Sequence, residues 1–322
     1  MGPRILAFRT AVVLDRLTPQ NDACPLSLME LLRAAMPGVL PIVRAPIVGV
    51  ARAALVAARE AEAAIGLALP PGTPPEAWFE GVTGAADEVA GALPIFLSSE
   101  VTVGGAAAAD VDGAERDAFR LVDAGITHLA IDVRAVPVTE RARVFAAVAA
   151  PAAERGACVD CLVALEDAPK ALYDELTALR AAPDVVSVRC PPVDAPKDVG
   201  AQVARLARLC ADLSGTPIVR RGPVTPALLE ELARSPVRGC EDGGAAAVAG
   251  IAVIPWERLQ EQREDASRTP ALERAAEQLS IDAADRLEAR AYVEAATFIE
   301  RLGAAGSGTA VAGALERLLE ER

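Results

Sequence analysis

The chain holds one histidine, His128, two lysines, Lys170 and Lys197, and only 3% aromatic residues. A single imidazole excludes a zinc site assembled from several histidines. Arginine supplies nearly all of the positive charge, so the mere presence of arginine says little and its position has to carry any argument. A basic surplus is also missing. Asp and Glu total 45 against 32 Lys and Arg, a net charge of -13. That balance excludes a broad nucleic-acid or anionic-membrane surface and leaves room only for a local anion site. No uninterrupted apolar run reaches membrane-spanning length, and the start at Met1 lacks the charged, apolar and small-residue regions of a secretory signal. A cytoplasmic protein with neither nucleic-acid nor membrane partners is expected. The six cysteines are scattered along the chain, which suits reduced packing thiols better than a disulfide framework.

What the chain does have is rhythm. From Val39 to about Glu257, short apolar runs ending in a charged residue alternate with Ala-rich helical segments about eight times. Buried parallel strands covered by helices read this way, and the length suits a single (β/α)8 TIM barrel within residues 1–258. A doubly wound sheet would place a Gly-rich phosphate loop after its first strand, and none follows Val39–Arg44. Further strands are expected at Ile65–Leu69, Pro94–Ser99, His128–Val133, Cys158–Leu165, Val185–Arg189 and Pro217–Arg220. In the eighth unit Gly239–Glu241 is a poor strand, and Ala245–Ile254 reads as either strand or helix. Gly104–Asp112 reads as a flexible loop before a helix over Ala114–Asp123. An N-terminal helix over Pro25–Met36 is expected to cover one end of the barrel. Beyond Trp256 come Leu259–Ser267, an acidic helix over Pro270–Leu302 and a last helix to Arg322. Together, residues 259–322 form a C-terminal helical extension expected to pack on the barrel.

Alternation within the strands sorts their two faces. Leu129, Ile131 and Val133 face the helices, leaving His128, Asp132 and Arg134 on the lumen side. Val159, Cys161 and Val163 point outward, leaving Cys158, Asp160 and Glu166 inward. Val186 and Val188 likewise oppose Ser187 and Arg189. Arg44, Glu100, Asp132, Arg134, Glu166, Arg189, Arg220 or Arg221, and Glu241 or Asp242 then gather at one mouth, where this fold carries its chemistry. Arginines on rigid strand ends can grip phosphate or carboxylate bidentately, and a neighbouring carboxylate can serve as acid or base. Equally, such groups can simply pair with one another. Cys158 and Cys161 fall on opposite faces and read as structural. Each lysine follows Asp-Ala-Pro at the start of a helix, a capping pattern that leaves the side chain in solvent.

Ser27-Leu-Met-Glu-Leu-Leu-Arg-Ala-Ala ahead of Val39-Leu-Pro-Ile-Val-Arg, then Pro94-Ile-Phe-Leu, and above all Ala124-Gly-Ile-Thr-His-Leu-Ala-Ile-Asp132 with Val136, Pro137 and Glu140, resemble the class II fructose- and tagatose-bisphosphate aldolases. The resemblance covers roughly residues 25–245. It implies a TIM barrel and carbon-carbon lyase chemistry in carbohydrate metabolism. That family places an Asp-His pair after strand three, where Glu100-Val101 stands here. The later histidine ligands are replaced by Arg189 or Cys190 and by Arg221, and the glutamate ligand falls near Leu162. The Gly-rich phosphate loop is reduced to Arg221-Gly222-Pro223. Neither a metal nor another cofactor is therefore expected.

Two functions follow. The first is a metal-independent, aldolase-like protein binding a phosphorylated or carboxylated carbohydrate, with Arg44, Arg134, Arg189 and Arg221 as substrate-binding residues and Glu100 and Asp132 as catalytic acid and base. The second is a catalytically inactive barrel, a pseudoenzyme serving as structural or regulatory subunit. Its partner would be another copy of itself or an aldolase-type subunit, since Leu287, Tyr292, Ala295, Phe298 and Ile299 give the C-terminal region an apolar face. Geometry separates the two: open guanidinium groups favour the first, and arginines closed off by carboxylates favour the second.

Overall fold

Runs such as Ile65-Gly-Leu-Ala-Leu and Val185-Val-Ser-Val-Arg are too short to stabilise a sheet singly, but eight of them in register remove every open edge. A computed structural model describes residues 4–33, 37–70, 73–167, 169–193, 195–213, 215–255 and 271–321. Its barrel strands are β1 (Leu40–Arg44), β2 (Ile65–Leu69), β3 (Pro94–Thr102), β4 (His128–Asp132), β5 (Cys158–Ala164), β6 (Val185–Arg189), β7 (Ile218–Arg221) and β8 (Gly239–Glu241). All pair in parallel in chain order, and β8 closes on β1 with Leu40 opposite Gly239. The covering helices are α1 (Val48–Glu60), α2 (Pro75–Val89), α3 (Ala108–Asp123), α4 (Arg141–Glu154), α5 (Pro169–Ala178), α6 (Pro196–Asp212), α7 (Pro226–Ala233) and α8 (Ala245–Ile251). This is the expected (β/α)8 TIM barrel.

Four local readings change. The N-terminal helix begins at Leu28 and not at Pro25, because Cys24 and Pro25 pair as a short strand with Pro94 and Ile95 of β3. Gly239–Glu241 is a true strand and Ala245–Ile251 a helix, because Asp242 turns the chain between them by accepting from the backbone of Gly244 and Ala246. β3 runs on to Thr102 and α3 starts at Ala108, so the expected long loop shrinks to five residues, 103–107. The Ala-rich start of α3 carries enough helix propensity to begin early. The acidic C-terminal helix is interrupted, giving α9 (Ala271–Glu277) and α10 (Ile281–Arg301), with Ser280 extended at the N-cap of the second. Leu259–Ser267 lies outside the described residues.

Two apolar clusters flank the barrel wall. The outer one joins Val43, Leu67, Leu97, Leu129, Val159, Val186 and Ile218 to the helices, as alternation requires. An inner one fills the bottom of the lumen with Leu40, Ile42, Phe96, Cys158, Val185 and Val219. Leu26, Leu28 and Leu31 from the N-terminal segment and Val311 and Leu315 from α11 (Ser307–Glu320) join that inner cluster. The plug over this end is thus built from both ends of the chain. α11 is fixed by the Ser307 hydroxyl, which accepts from Ala64 N at 3.0 Å. Phe96 lies over Gly66, where any side chain would run into the ring. Its ring also meets His128 edge to face at 5.5 Å. α10 buries Leu287, Ala291, Ala295, Phe298 and Ile299 against α1 and α8, the packed arrangement of that apolar face. Among the described residues, no helix is long and apolar enough to cross a membrane.

Candidate functional site

Above Phe96 the lumen turns polar in one step. Ser98 on β3, His128 on β4, Asp160 on β5 and Ser187 on β6 are each 0% exposed, and Arg221 on β7 is 2% exposed. His128 lies 2.9 Å through Nδ1 from the Ser98 hydroxyl and 3.1 Å through Nε2 from Asp160. Burial lowers the pKa of His128, Asp160 pulls it back up, and the charge of Arg221 adds to the lowering, so the ring is neutral. A carboxylate only accepts, which puts the proton on Nε2 and leaves Nδ1 to accept from Ser98. Burial would raise the pKa of Asp160, but His128, Arg221 and Ser187 together hold it below the ordinary range. Its Oδ1 takes the backbone N–H of Ser187 at 2.7 Å, and its Oδ2 takes the Ser187 hydroxyl. Ser98, His128 and Asp160 share the connectivity of a hydrolytic triad. Full burial beneath Arg221 removes them from any substrate.

The next layer is ionic. Arg221 donates through Nε to Ser187 at 2.9 Å, and its Nη atoms reach Glu241 at 2.8 Å and Asp160 at 3.4 Å. Glu241 also takes Arg44 at 2.9 Å. Across the lumen, Arg189 on β6 reaches Glu100 on β3 at 2.6 Å. Asp132 takes Nε of Arg134 at 2.9 Å and Nη2 at 2.7 Å, folding that guanidinium back onto its own strand end. Arg141 pins this turn by donating to the carbonyls of Arg134 and Val136 and to Asp167.

All six candidate residues, Arg44, Glu100, Asp132, Arg134, Arg189 and Arg221, therefore stand at the carboxyl ends of the strands. Each arginine is already in an ion pair with a carboxylate of the same mouth. Four guanidinium groups meet Glu100, Asp132, Asp160 and Glu241, which leaves the set neutral as a whole. Asp242 adds a negative charge beneath Arg44. Burial pushes its pKa up to about 6 against three backbone donors, from Gly244, Arg44 and Ala246. The Nε atoms of Arg44 and Arg189 are buried without a partner among the described residues.

Arg220 and Arg221 separate by face. Arg221 points inward, whereas Arg220 points out, is 0% exposed, and holds the carbonyls of Gly222 and Pro223. Glu166 lies past the end of β5 and is exposed. Sequence reasoning passed over Ser98 as a partner of His128, and left Glu241 and Asp242 as alternatives although both participate. Inward parity and the single histidine were the available signals. Both lysines are exposed, and Lys170 pairs with Asp174 at 2.7 Å on α5.

A class II aldolase metal does not fit this donor set. The only histidine is committed to Ser98 and Asp160, and no group of three His, Cys, Asp or Glu among the described residues can hold an ion. Of the positions aligned by resemblance, Val101 faces the outer core, Leu162 carries no donor, and Arg221 is a cation.

No protein-family model matches the chain, and no curated protein is significantly similar to it. Solved structures are similar in fold. The YdjI aldolase from Escherichia coli K12 superposes with a TM-score of 0.61 at 12% identity, covering 87% of this chain and 96% of that one. A candidate fructose-1,6-bisphosphate aldolase from Coccidioides immitis gives a TM-score of 0.63 at 15% identity, over 90% of this chain and 98% of the other. At such identities the likeness is one of fold alone, a (β/α)8 TIM barrel.

Proposed function

We propose that this chain is an aldolase-like barrel without turnover, acting as a structural or regulatory subunit. The observation that carries this reading is the closure of the mouth, in which Arg44, Arg134, Arg189 and Arg221 are each neutralised by a carboxylate of the chain itself. A guanidinium already held by a buried carboxylate must break that pair before it can bind phosphate, and this cost is several kcal/mol for Arg221, which is 2% exposed. With Asp242 added to four balanced pairs, the mouth has no positive surplus and lacks the field that draws in a doubly charged ester.

The alternative is a metal-independent lyase or binder for a phosphorylated or carboxylated carbohydrate, with Glu100 and Asp132 as acid and base. The unpartnered Nε atoms of Arg44 and Arg189 favour it, because they leave a donor on each arginine for an incoming oxyanion.

Retro-aldol cleavage of fructose and tagatose 1,6-bisphosphates, assayed with and without added divalent metal, separates the two. No turnover and no thermal stabilisation by either ester is expected. Turnover lost in Glu100→Gln or Asp132→Asn, or a stabilisation lost in Arg221→Ala, would overturn the reading. The subunit role predicts that adding this chain lengthens the thermal half-life of a catalytic tagatose-bisphosphate aldolase. An unchanged half-life counts against it.

A further inference from the structure

Away from the mouth, the outer edge of α3 carries side chains that the chain itself does not satisfy. Phe119 is 42% exposed there, with one side of its ring under the guanidinium of Arg155 at 3.8 Å. Asp123 fixes that guanidinium at 2.8 Å, so the ring is held in place at the surface. Beside it, between α3 and α4, runs an open groove of about 390 Å³ lined by Asp112, Glu115, Arg116, Phe119, Arg120 and Pro151.

Three of the charges along this edge lack a partner. Arg120 is taken up by Glu76, whereas Asp112, Glu115 and Arg116 make no ion pair with any described residue, although Asp112 and Arg116 stand one helical turn apart. The other acidic groups of α3 leave the edge. Asp117 lines the cleft toward α2, and Asp110 turns back over Gly104 and Gly105. Gly113 sits mid-helix, where glycine costs about 1 kcal/mol against alanine. Apart from Arg116 of its own helix, nothing in the chain lies within 4 Å of where its Cβ would stand.

The order of these residues identifies the occupant. Along α3 the edge runs from the exposed, small Ala108 and Ala109 through Asp112 and Gly113 to Arg116 and then Phe119. One half is small and acidic, the other basic and large. Such a helix is complementary to itself reversed, which is the condition for an isologous two-fold contact. The register is the same for charge and for shape: the antiparallel pairing centred on Ala114 that sets Asp112 against Arg116 of the partner subunit also sets Phe119 over Ala109 of the partner subunit. Gly113, next to the axis, lets the two backbones approach. The apolar face of α10 is not available for this purpose, since α1 and α8 cover it.

We propose that a second copy of this chain docks on the α3 edge, antiparallel about a two-fold axis, with Asp112 and Arg116 as reciprocal ion pairs and Phe119 as the anchor at each end. A contact built on one helix pair lies at the small end of specific interfaces, so the dimer is reversible. It does not depend on whether the barrel turns over a substrate.

Sedimentation equilibrium of the full chain tests the proposal. A monomer–dimer equilibrium in the micromolar range is expected. Asp112→Arg and Arg116→Asp, each at an exposed position, should each be monomeric, because either change sets like charges against each other on both sides of the axis. An equimolar mixture of these two variants should dimerise again, since every contact then joins opposite charges. Phe119→Ala should weaken association about tenfold. Urea midpoints equal to that of the wild type establish that the variants are folded. A wild-type chain that stays monomeric, a single charge variant that still dimerises, or a mixture that stays monomeric would each overturn it, as would association with a catalytic aldolase subunit only.

Discussion

Replacing Asp160 by Asn keeps the size of the side chain and removes only its charge and half of its acceptors. In the protein, Oδ1 accepts the Ser187 N–H, while Oδ2 serves His128, the Ser187 hydroxyl and Arg221. An Asn whose oxygen stays on the Ser187 N–H must aim its NH2 group at the N–H of His128 and the guanidinium of Arg221. The imidazole can escape by moving its proton to Nδ1 and reversing its bond with Ser98, but Arg221 cannot, since it has no acceptor form. Removing one partner of a buried ion pair costs about 3–5 kcal/mol. Arg221 keeps Glu241 at 2.8 Å, so the low end, about 3 kcal/mol, applies here. Urea unfolding followed by tryptophan fluorescence, to which Trp78 contributes from a buried site with its indole N–H on the carbonyl of Ala45 at 2.7 Å, measures the change at constant m-value. Asp132→Asn is the control. Its partner Arg134 is 34% exposed, and a solvent-screened pair contributes under about 1 kcal/mol. If Asp160→Asn came within about 1 kcal/mol of wild type, or cost less than Asp132→Asn, the buried layer would not be the framework described above.

Acid titration should show two opposed contributions. The pKa of His128 is lowered by burial, so the unfolded chain binds the proton more readily and stability falls as pH drops below about 6.5. His128→Gln should abolish that slope in urea unfolding carried out across pH 5–7. The pKa of Asp242 is raised to about 6 by burial, so the folded state binds its proton first. Its contribution to stability is highest below the ordinary carboxylate range and declines as pH rises to 6. Asp242→Asn should remove this decline, and a profile identical to wild type would refute the burial argument. Phe96→Ala should cost about 3–5 kcal/mol by emptying the lumen floor, read from the urea midpoint. Gly222 has φ +115° and would place a Cβ 2.5 Å from the carbonyl oxygen of Cys190. Gly222→Ala should therefore lose more than about 1 kcal/mol, and a stabilised variant would contradict the strained turn.

Much of this architecture was legible before any coordinates. Val186 and Val188 against Ser187 and Arg189, or Leu129 and Ile131 against His128 and Asp132, are enough to orient a strand, because the pleat alternates faces residue by residue whatever surrounds it. Boundaries followed less well where local propensities conflict. The Gly104–Asp112 stretch is flexible by composition, yet α3 begins inside it at Ala108, and the short β8 is a strand only because β1 and β7 flank it.

Local alternation thus fixed which side chains enter the lumen and at which end. Only the closed barrel decided what they do there. Glu100 and Arg189 are 89 residues apart and sit on strands that are not neighbours, so their pairing depends on how the sheet curls back on itself. The same curl brings Arg221 between Asp160 and Glu241, whereas Ser98 and His128 already stand opposite each other on adjacent strands. Whether a guanidinium is free or neutralised is set by the relative heights of strand ends across a cylinder, a property of the whole ring that no window of the chain contains.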